Sequence, residues 1–90
     1  MPFITYSNKI EYQSDDGEVL AEITFPALDE NRVNIDHTFV APALRGQGAA
    51  SRLMELTVEE LEKTGRKAVA TCSYAKKWFE WYPEKAKRVK

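Results

Sequence analysis

One stretch constrains this chain more than any other: His37-Thr-Phe-Val-Ala-Pro-Ala-Leu-Arg-Gly-Gln-Gly-Ala-Ala-Ser-Arg-Leu-Met54. An apolar segment runs into Pro42, a glycine-punctuated basic turn follows, and an amphipathic helical pattern begins. Proline cannot continue a central ladder, so the strand must stop near it. Strand, tight turn and helix N-terminus together form an arrangement that holds phosphate. The first N–H groups of a helix have no intrahelical acceptor, and the helix dipole places partial positive charge beside them. Arg45 adds a full charge, and the amides of residues 46–50 are the candidate anion ligands. Gly46 and Gly48 allow a positive φ and a close approach of a ligand oxygen to the backbone. The two commoner phosphate loops are absent: there is no GxxxxGK(S/T), and no GxGxxG followed by an acid about 20 residues on. Without a ligand, the same residues read as an ordinary strand-to-helix connection with a solvated Arg45.

The rest of the chain supplies the scaffold. Lys9 to Gln13 alternates, with Ile10 and Tyr12 on one face, and predicts a strand. Asp16-Gly17 signals a hairpin turn into a second strand, Val19 to Phe25, with Val19, Ala21, Ile23 and Phe25 on one face. Val33 to Val40 predicts a third strand, with Val33, Ile35, His37 and Phe39 on one face. A helix is expected over 47–64. Ala50, Leu53, Met54, Thr57, Val58 and Leu61 fall on one stripe, and Gly65 follows as a left-handed terminator. Burying that stripe contributes on the order of 10 kcal/mol, at about 1.5–3 kcal/mol per large apolar side chain. Lys67 to Ser73 predicts a fourth strand, parallel to the third across the helix. Tyr74 to Trp81 predicts a short aromatic helix stopped by Pro83, and Lys85 to Lys90 a solvated basic tail. Trp78, Phe79, Trp81 and Tyr82 form an aromatic cluster suited to core or interface packing.

Ninety residues with 43% hydrophobic and 30% charged content make one soluble α+β domain, residues 1–90. A chain this short leaves much of its apolar surface uncovered, so a homodimer is a reasonable expectation. The net charge of −1 gives no pull toward nucleic acid or membrane. One cysteine, Cys72, and one histidine, His37, exclude an intrachain disulfide and the usual four-ligand zinc site. A free thiol suits a reducing compartment, no leader pattern opens the chain, and a cytoplasmic location is expected. An imidazole titrates near neutral pH, about 6.5, so His37 is a candidate general base or else a half-buried histidine with one hydrogen bond. Asp36 and Glu22 are weaker candidates.

The run Arg45-x-x-Gly48-x-Ala50, with Val40-Ala41-Pro42 before it and Leu53 after it, resembles the R/Q-x-x-G-x-G/A turn of the GNAT acetyltransferase superfamily. The resemblance implies a minimal GNAT-like fold, a mixed and mostly antiparallel sheet with one long and one short helix. It implies acetyl-CoA as cofactor, with Arg45, Gly46, Gln47, Gly48, Ala49 and Ala50 at the diphosphate. It also implies main-chain contacts from the strand around Val40 to the pantetheine arm and acetyl group. Many members carry Asn-x-x-Ala in the next segment; here the run is Cys72-Ser-Tyr-Ala75, so a thiol stands near the cofactor. The chain resembles the small stand-alone YjdJ-type subfamily, which implies that Cys72 lies by the thioester as a proton donor or acetyl acceptor. A buried, inert small residue is the other reading. Ala75-Lys-Lys-Trp78-Phe79 departs from the family's Ala-x-x-Phe-Tyr, and Phe79 has no proton to give; Tyr74 or Tyr82 could substitute. The implied activity is N-acetyl transfer to an amine acceptor. A non-catalytic acyl-CoA-binding or sensor module, or a small interaction domain, is the alternative. No room exists between the first two strands for the helices that wall the acceptor site in larger members.

Overall fold

The computed structural model describes residues 2–89. In chain order it has β1 (Phe3–Thr5), β2 (Lys9–Gln13), β3 (Val19–Thr24), β4 (Arg32–Ile35) and β5 (His37–Val40). Then come α1 (Ala49–Thr64), β6 (Lys67–Ala70) and α2 (Ser73–Trp81). β2 and β3 pair antiparallel through the expected tight connection, in which the Gly17 N–H donates to the Ser14 carbonyl. β1 is an additional strand, too short for alternation to reveal it. It pairs antiparallel with β2, and Phe3 sets its ring edge-on to Tyr12 at 5.0 Å.

The expected third strand is two strands. β4 runs parallel to β6, with Val33 beside Ala68 and Ile35 beside Ala70. β5 runs antiparallel to β3, with Thr38 beside Ile23 and Val40 beside Ala21. The exchange of partners happens at Asp36. The Ile35 carbonyl accepts from both the Thr71 and Cys72 N–H groups at 3.1 Å, whereas the Asp36 N–H donates to the Thr24 carbonyl at 3.2 Å. One residue out of step moves every later side chain to the other face. Val33 and Ile35 are fully buried, but His37 is exposed and Phe39 is 42% exposed. The expected shared face of Val33, Ile35, His37 and Phe39 is therefore corrected. Thr38 and Val40 are the residues that lie on the core side.

The result is a four-stranded sheet ordered β1-β2-β3-β5 beside a two-stranded sheet β4-β6. The β4–β6 pairing ends at Ile35, beyond which β5 pairs with β3 and not with the segment entering α2; the wedge is the place where β5 and that segment part. α1 covers the inner face. Leu53, Met54, Thr57, Val58 and Leu61 are buried in one core with Ile10, Ile23, Phe25, Val33 and Ile35. The buried Thr57 hydroxyl donates to the Leu53 carbonyl at 2.8 Å, so that polar atom is satisfied. The helix starts two residues later than expected, because Gly48 is its left-handed N-cap, and Ala49 is buried where Ala50 was expected. Gly65 ends it as expected, donating to the Leu61 carbonyl.

The mixed, mostly antiparallel α+β architecture agrees with the expected fold class. The tail does not fray as expected. The Ala68 N–H donates to the Arg88 carbonyl at 2.7 Å, and Val89 bridges Ala68 in parallel. Ala86 and Val89 pack against the core; Lys90 lies outside the described residues. Among the described residues no helix covers the outer face of the four-stranded sheet, where Ile4, His37 and Phe39 are exposed.

Candidate cofactor site

The chain leaves β5 at Val40, makes a tight turn over Pro42–Leu44 and passes through Gly46 (φ 82°) and Gly48 (φ 79°) into α1. A Cβ added at either glycine would meet nothing within 4 Å. The glycines are therefore needed for left-handed backbone rather than for room, a conformation that costs other residues about 1–2 kcal/mol. α1 has no side-chain cap and no acid in its first turn. Arg52 is the first to bond back, its N–H reaching the Gly48 carbonyl at 3.0 Å. The N–H groups of Ala49, Ala50 and Ser51 thus have no helical acceptor and carry the positive end of the dipole.

These amides open onto a cavity of about 300 Å³ lined by Val40, Leu44, Arg45, Gly46, Gly48, Ala49, Ala50, Ser51 and Tyr74. The geometry brings together all the expected cofactor residues except Gln47 and Cys72. Gln47 turns its amide back to the Ala43 carbonyl at 3.1 Å and lines a separate groove. The Arg45 Nε lies 3.4 Å from the Val40 carbonyl, so the guanidinium folds over the end of β5. Leu44 and Ser51 line the cavity although neither stood out in the sequence. Ser51, in the first turn of a helix with an open N-terminus, carried the only legible signal of the two.

Tyr74 enters from the first turn of α2. Burial raises its phenol above the ordinary value, a nearby Ser51 hydroxyl opposes this, and the proximity of Tyr82 and Cys72 adds to the rise. The phenol therefore stays protonated at neutral pH and can donate. Tyr82 instead packs on the Trp78 ring at 5.0 Å and is not part of the cavity lining.

Cys72 caps α2 at the wedge, its Sγ 3.6 Å from the Thr38 Oγ1 across the gap. Burial pushes the thiol up. The Ala75 N–H, the Thr38 hydroxyl and the Tyr74 and Thr38 main chain outweigh burial, and the net shift is downward. Thiolate is the reactive form, so alkylation of Cys72 by iodoacetamide should rise with pH through a midpoint below the ordinary 9.0. Thr38→Val should move that midpoint upward. A midpoint at or above the ordinary value in the unsubstituted protein would contradict this environment.

His37, Asp36 and Glu22 do not join the cavity. His37 lies on the outer face opposite Thr24, and Glu22 on the same face opposite Phe39. Asp36 accepts from the Thr24 hydroxyl at 2.5 Å. No cluster of three or more His, Cys, Asp or Glu suited to a metal occurs among the described residues.

A family profile described as GCN5-related N-acetyl-transferase matches residues 9–89. Among the curated proteins none matches. The solution structure of a GCN5-like candidate N-acetyltransferase from Staphylococcus aureus is 34% identical and covers 98% of this chain and 86% of its own, with a TM-score of 0.79. A candidate acetyltransferase from Agrobacterium tumefaciens is 27% identical, covering 82% of this chain and 56% of its own at a TM-score of 0.66. Nourseothricin acetyltransferase is 27% identical, covering 64% of this chain and 35% of its own at a TM-score of 0.52.

Proposed function

For this chain, which belongs to the GCN5-related N-acetyltransferase family, we propose transfer of an acetyl group from acetyl-CoA to an amine. The observation that carries the reading is the uncapped, acid-free start of α1 opening onto a cavity with Arg45 at its edge. A diphosphate fits this donor set: unpaired amides, a helix dipole and a guanidinium, with no carboxylate among the lining residues. Acetyl-CoA, when bound, supplies an acyl group activated as a thioester.

The chain's own groups account for the remaining tasks. The amides of Ala49, Ala50 and Ser51 and the Arg45 guanidinium hold phosphate. β5 is the edge strand of its sheet and faces the wedge, so its backbone groups on that side can bind the amides of a pantetheine arm. Val40 lies at the cavity, and Thr38, on the same side of the same strand, touches Cys72. That path leads from the phosphate seat to the thiol. Tyr74, two residues from Cys72, retains its proton and is the candidate donor to a leaving thiolate, the role that Phe79 cannot fill. Cys72 is a second donor, or an acetyl acceptor. The amine approaches over the uncovered outer face, where His37 is the exposed base. We assign the protein to the cytoplasm on the strength of its free Cys72.

Thermal unfolding with acetyl-CoA tests the reading. Ligand at 100 times its Kd stabilises by about 2.7 kcal/mol, which in a domain this small raises Tm by roughly 10 °C or more. Arg45→Ala, which removes a charge-assisted contact worth about 1.5–3 kcal/mol, should weaken acetyl-CoA by roughly 10- to 100-fold. Mass spectrometry then follows the acetyl group into a panel of amines. Absence of any thermal shift overturns cofactor binding. Binding without acetyl appearing on any amine would leave an acyl-CoA-binding module.

A further inference from the structure

The cavity at α1 is about 300 Å³, at the foot of the roughly 300–1,000 Å³ range of small-molecule sites. Coenzyme A is a large ligand for it. If the diphosphate sits on the α1 amides and the pantetheine arm follows β5 into the wedge, the nucleotide end must pass out over the rim. Two exits exist. The turn side presents Ala43 and Gln47 and, beyond Gln47, a groove whose two rings, Phe3 and Tyr12, pack on each other and whose Arg52 is paired with Glu55 and Glu59. The α2 side presents a different surface.

Tyr74, Lys77 and Trp81 stand at i, i+3 and i+7 on α2 and so form one stripe. Tyr74 lines the cavity, and Trp81 lies edge-on to it with ring centroids 6.2 Å apart. Trp81 is 59% exposed, more than any other large apolar side chain described. Packing does not explain its presence, since Trp78 and Phe79 already fill the buried side of α2, and the Trp78 Nε1–H is satisfied by the Ser51 hydroxyl at 2.9 Å. Lys77 is exposed and makes no ion pair among the described residues, not even with Glu80 one turn on. A solvent-facing indole with a free ammonium beside it, continuous with a phosphate seat, has the chemistry of a nucleotide platform. The ring offers a flat face for a base, and the lysine offers charge for a phosphate.

Resting on the acetyl-CoA reading above, we infer that Trp81 stacks the adenine of coenzyme A and Lys77 meets its 3′-phosphate. Binding then covers an indole that is open to water in the free protein, while the buried Trp78 serves as a constant background.

The test uses tryptophan fluorescence and calorimetry on the whole chain, with CoA, dephospho-CoA (which lacks the 3′-phosphate) and 4′-phosphopantetheine as probes. CoA should quench the emission, and Trp81→Phe, which keeps Trp78, should lose most of that quench. Trp81→Ala should weaken CoA on the order of 10-fold, the scale of one base–aromatic stack, and leave 4′-phosphopantetheine unchanged. Lys77→Ala should narrow the preference for CoA over dephospho-CoA. Unaltered CoA affinity in Trp81→Ala overturns the inference, as does an equal loss for CoA and 4′-phosphopantetheine. Those outcomes leave the acetyl-CoA reading intact, whereas failure of the unsubstituted protein to bind CoA removes both.

Discussion

Ala50→Glu should make the free domain more stable and, in the same molecule, close it to coenzyme A. Ala50 sits in the first turn of α1, where no acid and no side-chain cap offset the dipole. A carboxylate there is favourable by about 0.3–1 kcal/mol, which raises Tm by a few degrees in a domain of this size. The same carboxylate would stand in the cavity that the diphosphate needs. Two unit charges about 4 Å apart repel by about 4 kcal/mol at an effective dielectric of 20. Even halved by screening, that weakens CoA by roughly 30-fold or more. Ala50→Gln adds nearly the same volume without charge and should weaken binding much less. Tm in the absence of ligand and the CoA-induced shift read the two effects separately. A Glu variant that binds CoA as tightly as the unsubstituted protein would mean that the phosphate lies elsewhere. Opposite signs at one residue are what distinguish a functional vacancy at a helix end from a merely unoptimised one.

The parts of the fold legible in the sequence are those whose signals are local. The Asp16-Gly17 turn, the α1 stripe ending at Gly65, and the Arg45-to-Ala50 turn each fix backbone within a few residues, and the structure has all three. What escaped depends on partners distant in sequence. The break at Asp36 arises because β4 and β5 pair with different strands, and period-two alternation carries no mark of that exchange. An apolar Phe39 two residues beyond His37 keeps the pattern in apparent phase, although both face outward. Val89 reads as part of a charged end until Ala68 is there to pair with it. Glu11, on the strand face opposite Ile10 and Tyr12, is buried. Gln13 Nε2 at 2.8 Å and Lys9 Nζ at 3.0 Å hold its carboxyl below the usual carboxylate range. At the site, backbone chemistry was legible because helix termini behave alike everywhere. The direction of individual side chains, such as Gln47 turning to Ala43, was not.

The largest stability effect should come from Trp78→Ala. Trp78 is 1% exposed, packs edge-on against Phe79 at 5.4 Å and at a tilt on Tyr82 at 5.0 Å, and donates its Nε1–H to Ser51 in the first turn of α1. It therefore joins α2 to the helix end that forms the phosphate seat. Truncating a buried Trp or Phe to Ala costs about 3–5 kcal/mol. A domain of 90 residues has roughly 5–13 kcal/mol in total, so the variant should be close to unfolding at moderate temperature. Urea denaturation reads the loss as a fall in midpoint at unchanged slope. Trp78→Phe keeps an aromatic ring but removes the donor, and should lose only about 1–2 kcal/mol. The two variants also differ at the site. With α2 no longer held against α1, Tyr74 leaves the cavity, and the CoA-induced shift should fall in Trp78→Ala even at temperatures where it remains folded. The Phe variant should keep most of that shift. A loss below about 1 kcal/mol for Trp78→Ala would mean that α2 is not anchored through this indole. The wedge holding Cys72 would then need another support, since α2 starts at that residue and its remaining buried side chains are Ala75 and Phe79.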